Sequence, residues 1–122
     1  MARRVDGTCQ AFQTAVDVLA RPWSALILNA LQPGALRFSE LAAAAEGVTD
    51  KILSARLKEL EARGLVVRSV DPGPPVRVAY ELTDAGRAFD RVAQAIEVWG
   101  RTLDHSASEK RARATRIPTR SS

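Results

Sequence analysis

Lys51, Ser54, Ala55 and Lys58 are spaced so that a helix of 3.6 residues per turn gathers them on one side, with Leu53, Leu57 and Leu60 on the other. Two ammonium groups with a hydroxyl and a methyl between them make a surface with donors at its ends and little bulk in its middle. That chemistry suits close approach to a polyanion whose edges carry acceptors, as base edges in a DNA groove do. Asp50, Lys51, Ser54 and Ala55 are the residues expected near bases. Thr49, Arg56 and Lys58 are those expected near phosphates. The competing reading is a solvated helix face whose lysines pair with nearby acids.

The elements around this face have to decide between those readings. Thr49 is placed to cap the helix, Asp50 complements its dipole in the first turn, and Gly64 ends it. A shorter helix precedes it, with Phe38, Leu41 and Ala42 or Ala45 facing inward and Gly47 as its stop. Ser39 lies in that helix and joins the DNA-facing set. Arg37, just ahead, is either a phosphate contact near the helix start or a bridge to Glu40 or Glu46. Beyond Gly64, residues 65–70 and 76–82 read as antiparallel strands joined by Asp71-Pro72-Gly73-Pro74-Pro75, a stiff tip that cannot enter a ladder. Arg68 and Arg77 on these strands either meet phosphates and the minor groove or are ordinary exposed arginines. Helix, turn, helix and β-wing in this order form a device for seating one helix in the major groove.

Further helices flank this unit. Residues 8–20 carry Phe12, Ala15, Val16 and Leu19 at helical spacing, Arg21-Pro22 breaks the run, and Trp23 to Leu31 forms a second apolar helix. Thr83 opens the last helix, where Phe89, Val92, Ile96, Trp99 and Leu103 follow at steps of 3, 4, 3 and 4. That seam is longer than one small core needs. Phe12, Val16, Phe89, Val92, Ile96, Trp99 and Leu103 are therefore expected to form a dimer interface, which would set two recognition helices about 34 Å apart, one turn of DNA. The expected class is mainly α with a small β-wing (α+β), a winged helix-turn-helix with terminal helices forming a dimerisation surface. Its parts are a flexible arm at 1–7, one domain at 8–103 and a disordered basic tail at 104–122.

Composition narrows the function classes. The net charge of +4 resides in the ends: residues 7–103 carry 11 basic and 11 acidic side chains, so the body is neutral and the case for DNA rests on which face holds which charge. His105 is the only histidine and lies in the expected tail, and no nucleophile–base set, metal-ligand cluster or phosphate-cradling glycine loop appears. The expectation is a non-enzyme with no cofactor and no metal. No apolar run approaches the ~20 residues of a membrane helix and no signal peptide precedes residue 10, so a cytoplasmic protein without membrane association is expected. Cys9, the sole cysteine, is either an inert packing thiol or a candidate redox sensor.

The blocks Arg37-Phe38-Ser39-Glu40-Leu41, Leu53-Ser54-Ala55-Arg56-Leu57-Lys58-Glu59-Leu60-Glu61, Gly64-Leu65-Val66, Tyr80-Glu81-Leu82-Thr83 and Trp99-Gly100, with Cys9, Trp23, Arg68 and Gly86, resemble HxlR-type regulators, winged-helix proteins related to the MarR group. The resemblance covers roughly residues 9–100. It implies a homodimer on a pseudo-palindromic double-stranded DNA operator, acting on neighbouring genes, more as repressor than activator. It also implies that Cys9 sits where some members sense oxidants or electrophiles. One departure is Arg21-Pro22-Trp23 where the family usually has Gly-Lys-Trp. A small-molecule effector between dimer helices near Trp23, Phe89 and Trp99 is compatible with this reading, as is plain core at those aromatics. The alternative function is a winged-helix protein–protein interaction module without specific DNA binding.

Overall fold

A computed structural model of the chain describes residues 7–115. The elements run α1 (Gly7–Ala20), α2 (Ser24–Ala30), β1 (Leu36–Arg37), α3 (Phe38–Ala44), α4 (Asp50–Ala62), β2 (Val66–Asp71), β3 (Arg77–Leu82), α5 (Asp84–Arg87) and α6 (Phe89–Thr115). They divide into two units, residues 1–90 and 91–122.

The first unit holds the core. Ile27, Leu28 and Leu31 around α2, Leu41 and Ala45 around α3, Leu53, Leu57 and Leu60 on α4, and Val66, Leu82 and Phe89 are all buried. These residues recur at helical spacing on three short helices, so each helix buries one stripe and leaves the other side wet. Leu26 on α2 stands exposed, because the helix buries Ile27 and Leu28 instead.

The sheet has three strands in the order β1-β3-β2, all antiparallel, where two were expected. β1 is only two residues, too short for alternation to reveal, and pairs Leu36 with Tyr80 and Arg37 with Ala79. Thr83 fastens the sheet to the next helix: its hydroxyl donates to the Gly64 carbonyl (2.6 Å) and accepts from Gly86 N–H (3.1 Å). Gly86 is required by close approach, since a Cβ there would collide with the Leu65 carbonyl oxygen and lie 2.9 Å from Leu82 Cδ2.

Two expectations for the last helix need correction. The chain breaks at Ala88 between α5 and α6, and Phe89, 9 % exposed, belongs to the core of the first unit and not to an open seam. The stretch expected as a disordered tail from residue 104 continues α6 to Thr115. Ala, Arg, Lys and Glu dominate the end of α6, and all are good helix formers; His105 also meets Glu109 one turn on (3.2 Å). Residues 1–6 of the expected arm and 116–122 of the expected tail lie outside the described residues. In the second unit Val92, Ile96, Trp99 and Leu103 are all exposed, as are Phe12 and Val16 on α1 of the first. No described helix is long and apolar enough to cross a membrane.

Candidate nucleic-acid interface

α4 is built as the sequence pattern requires. Thr49 caps it, its Oγ1 accepting from Ile52 N–H (3.2 Å), and Asp50 occupies the first turn. The buried stripe of Leu53, Leu57 and Leu60 is at most 1 % exposed. Lys51 and Lys58 stand in solvent on the other side, with the short Ser54 and Ala55 half-buried between them. The donors and the small middle therefore share an accessible face, and no described ion pair holds either lysine.

Arg56 does not belong to that face. Its side chain is 12 % exposed, its Nε donates to the Pro22 carbonyl (2.9 Å) and its Nη1 meets Glu59 (3.3 Å). The expectation of a phosphate contact is corrected: the guanidinium ties α4 to the turn between α1 and α2. Glu59 completes this clamp by receiving Arg21 Nη2 at 2.7 Å. The Arg21 hydrogen bond, helped by the charges of Arg21 and Arg56, holds the Glu59 carboxyl below the usual carboxylate range.

The clamp grips a strained turn. Trp23 adopts φ 75°, left-handed for a non-glycine residue, and caps α2 from that conformation while Ile27 N–H reaches its carbonyl (2.9 Å). The Trp23 ring tip lies 3.7 Å from where a Cβ on Gly47 would stand, so the indole packs against the turn of the helix-turn-helix. Arg21, Trp23 and Glu59 thus position α4, a role the residue pattern alone does not assign. A Glu three residues after Arg56 on one helix is the one signal of it in the sequence.

Strand register sorts the wing arginines. Arg77 shares a face of the sheet with Ala79, Ser69, Asp71 and, through the β1 pairing, Arg37. Arg37 and Arg77 are diagonal neighbours on adjacent strands, a relation that places α-carbons about 7–8 Å apart. Arg68 lies on the opposite face with Tyr80, Val66 and Leu82, although its own side chain is exposed. Of the two readings for Arg37, the Glu40 bridge is present at 3.8 Å, and Glu40 also accepts from Arg37 N–H (2.8 Å). Its guanidinium remains exposed, as does Ser39. Cys9 is half-buried in the first turn of α1 and forms no disulfide.

This geometry has known counterparts. The HxlR-like helix-turn-helix family model matches residues 18–108. The chain belongs to the HxlR-like helix-turn-helix family. The uncharacterised HTH-type transcriptional regulator YvaP of Bacillus subtilis is 46 % identical over 91 residues, covering 75 % of this chain and 84 % of YvaP. The reduced form of the B. subtilis regulator YodB superposes with TM-score 0.71 at 37 % identity, covering 75 % of this chain and 89 % of that one. The redox regulator HypR in its oxidised form gives TM-score 0.69 at 29 % identity, covering 75 % and 95 %. This HxlR-like protein is a winged-helix transcriptional regulator of the HTH type, with α3 and α4 as its helix-turn-helix and β2–β3 as its wing.

Proposed function

We propose that this HxlR-like chain works as a homodimer that seats two α4 helices in successive major grooves of a pseudo-palindromic operator and represses neighbouring genes. The observation that carries this reading is the α4 face: two lysines without an ion pair among the described residues, set around Ser54 and Ala55 and opposite a fully buried leucine stripe. Asp50, Lys51, Ser54 and Ala55 approach base edges. Thr49, Lys58, Ser39, Arg37 and Arg77 hold the backbone, with Arg68 on the other side of the wing. Val92, Ile96, Trp99 and Leu103 on α6, and separately Phe12 and Val16 on α1, are exposed apolar residues that a second copy covers.

The test is Lys51→Ala combined with Lys58→Ala, followed by DNA affinity at several salt concentrations. Each phosphate that is no longer neutralised lowers the log–log salt slope by about 0.9. A dimer deprived of the Lys58 ammonium on both protomers therefore shows a slope smaller by about 1.8. Unchanged affinity and slope in a folded double variant would sink the assignment.

Cys9 is the residue through which a redox signal acts in this reading, supported by the likeness to the redox regulator HypR. If diamide releases DNA from Cys9→Ser as readily as from the unaltered protein, Cys9 has no such role.

A further inference from the structure

Beside the clamp, the C-terminal ends of α1 and α4 and the start of α2 border an open cleft of about 670 Å³. That volume lies in the range of small-molecule sites. Val18, Ala20, Leu60 and Ala62 give it apolar walls, and none of the DNA-facing residues lines it.

Most of its polar groups are already engaged. Glu59 is held by Arg21 and Arg56, and Asp17 accepts from Gln13 Nε2 (2.9 Å). Two are not. Ser24 is 2 % exposed, and its hydroxyl bonds to no described residue. The Arg63 guanidinium likewise has no ion pair or hydrogen bond among the described residues. Arg21, Arg56 and Arg63 against Asp17 and Glu59 leave one positive charge in excess, and Arg63 is the member without a counter-ion. The ends of α1 and α4 bring partly negative carbonyls here, which favour cationic side chains at Arg21 and Arg63 but leave the guanidinium of Arg63 unpaired.

We propose that this cleft binds a small organic carboxylate. The carboxylate pairs with the Arg63 guanidinium, a planar fork suited to two parallel hydrogen bonds. The ligand's apolar body covers Val18, Ala20 and Leu60, and a polar substituent meets the buried Ser24 hydroxyl. Such an occupant lies against Arg21 and Glu59, the two side chains that fasten α4 to the preceding turn.

The experiment uses the full chain labelled with ¹⁵N and titrated with sodium benzoate, with benzamide as the uncharged isostere. Saturable amide shifts confined to residues 17–24 and 59–63 are expected. Benzamide, and benzoate on Arg63→Gln, should bind at least about tenfold more weakly, the scale of removing one charge-assisted hydrogen bond. Arg63 is exposed just past the end of α4, so its replacement leaves the fold intact. Equal affinity for benzoate and benzamide, an unaltered Arg63→Gln titration, shifts that never saturate, or shifts centred on the apolar stripe of α6 would each overturn the proposal.

Discussion

Trp99→Ala separates the two fates of the apolar stripe on α6. Trp99 is 63 % exposed in the single chain, and its neighbours Val92, Ile96 and Leu103 on the same stripe are each 41–48 % exposed. A tryptophan offers roughly 250 Å² of surface, so about 150 Å² stands open; at ~25 cal/mol per Å², full cover by a partner is worth about 4 kcal/mol. Allowing for incomplete cover and the alanine methyl that remains, truncation costs about 2 kcal/mol per protomer. A twofold interface contains the residue twice, so the dimer loses about 4 kcal/mol, roughly a thousandfold in its dissociation constant. The monomer itself loses little, because the ring is mostly exposed there and alanine is the better helix former. Sedimentation equilibrium over a concentration series measures the first quantity, and urea unfolding of the dilute chain checks the second. A Trp99→Ala protein that self-associates as strongly as the unaltered one would refute the reasoning, as would an unaltered protein that is monomeric at every concentration.

Two further substitutions test how the first unit is held together. The folded state keeps the Glu59 carboxyl below its unfolded value, so the clamp's contribution is whole above the ordinary glutamate range. It is lost as pH falls through that range toward the folded value. Glu59→Gln should therefore lower the urea midpoint at neutral pH and flatten its decline on the acid side. An unchanged acid slope would show that Glu59 is not its source. Gly86→Ala forces a methyl against the Leu65 carbonyl and Leu82, and should destabilise the first unit by about 1–3 kcal/mol or more in chemical denaturation. A variant of native stability would contradict the close approach.

The parts of the fold that the sequence disclosed are those with a repeating signal. Leu53, Leu57 and Leu60 announce α4 because one stripe must be buried, and Thr49 marks its start because the first N–H groups need an acceptor. The wing was legible from alternating valines around a proline-rich link. Most of what escaped has no period to read. β1 is two residues long, and its existence depends on β3 lying alongside, so the neighbourhood of Arg37 and Arg77 follows from tertiary pairing alone. Arg56 looks like any solvent-facing arginine on a helical wheel; only the position of the Pro22 carbonyl draws it inward. Phe89 keeps perfect step with Val92 and Ile96, yet the break at Ala88 and the packing of the first unit claim it for the core. The end of α6 drops its apolar pattern but not its helix propensity, and propensity with an i, i+4 pair is enough to continue it.

The central claim is that α4 helices of two copies read one DNA site, and its most direct test is a gel shift on the intergenic DNA upstream of the protein's own gene. The binding is run at physiological salt with excess nonspecific competitor, and the mass of the complex is measured. A competitor-resistant complex of two chains per site is expected, and it should disappear with Lys51→Ala plus Lys58→Ala. A complex of one chain per site, or one unaffected by removal of both lysines, would contradict the claim.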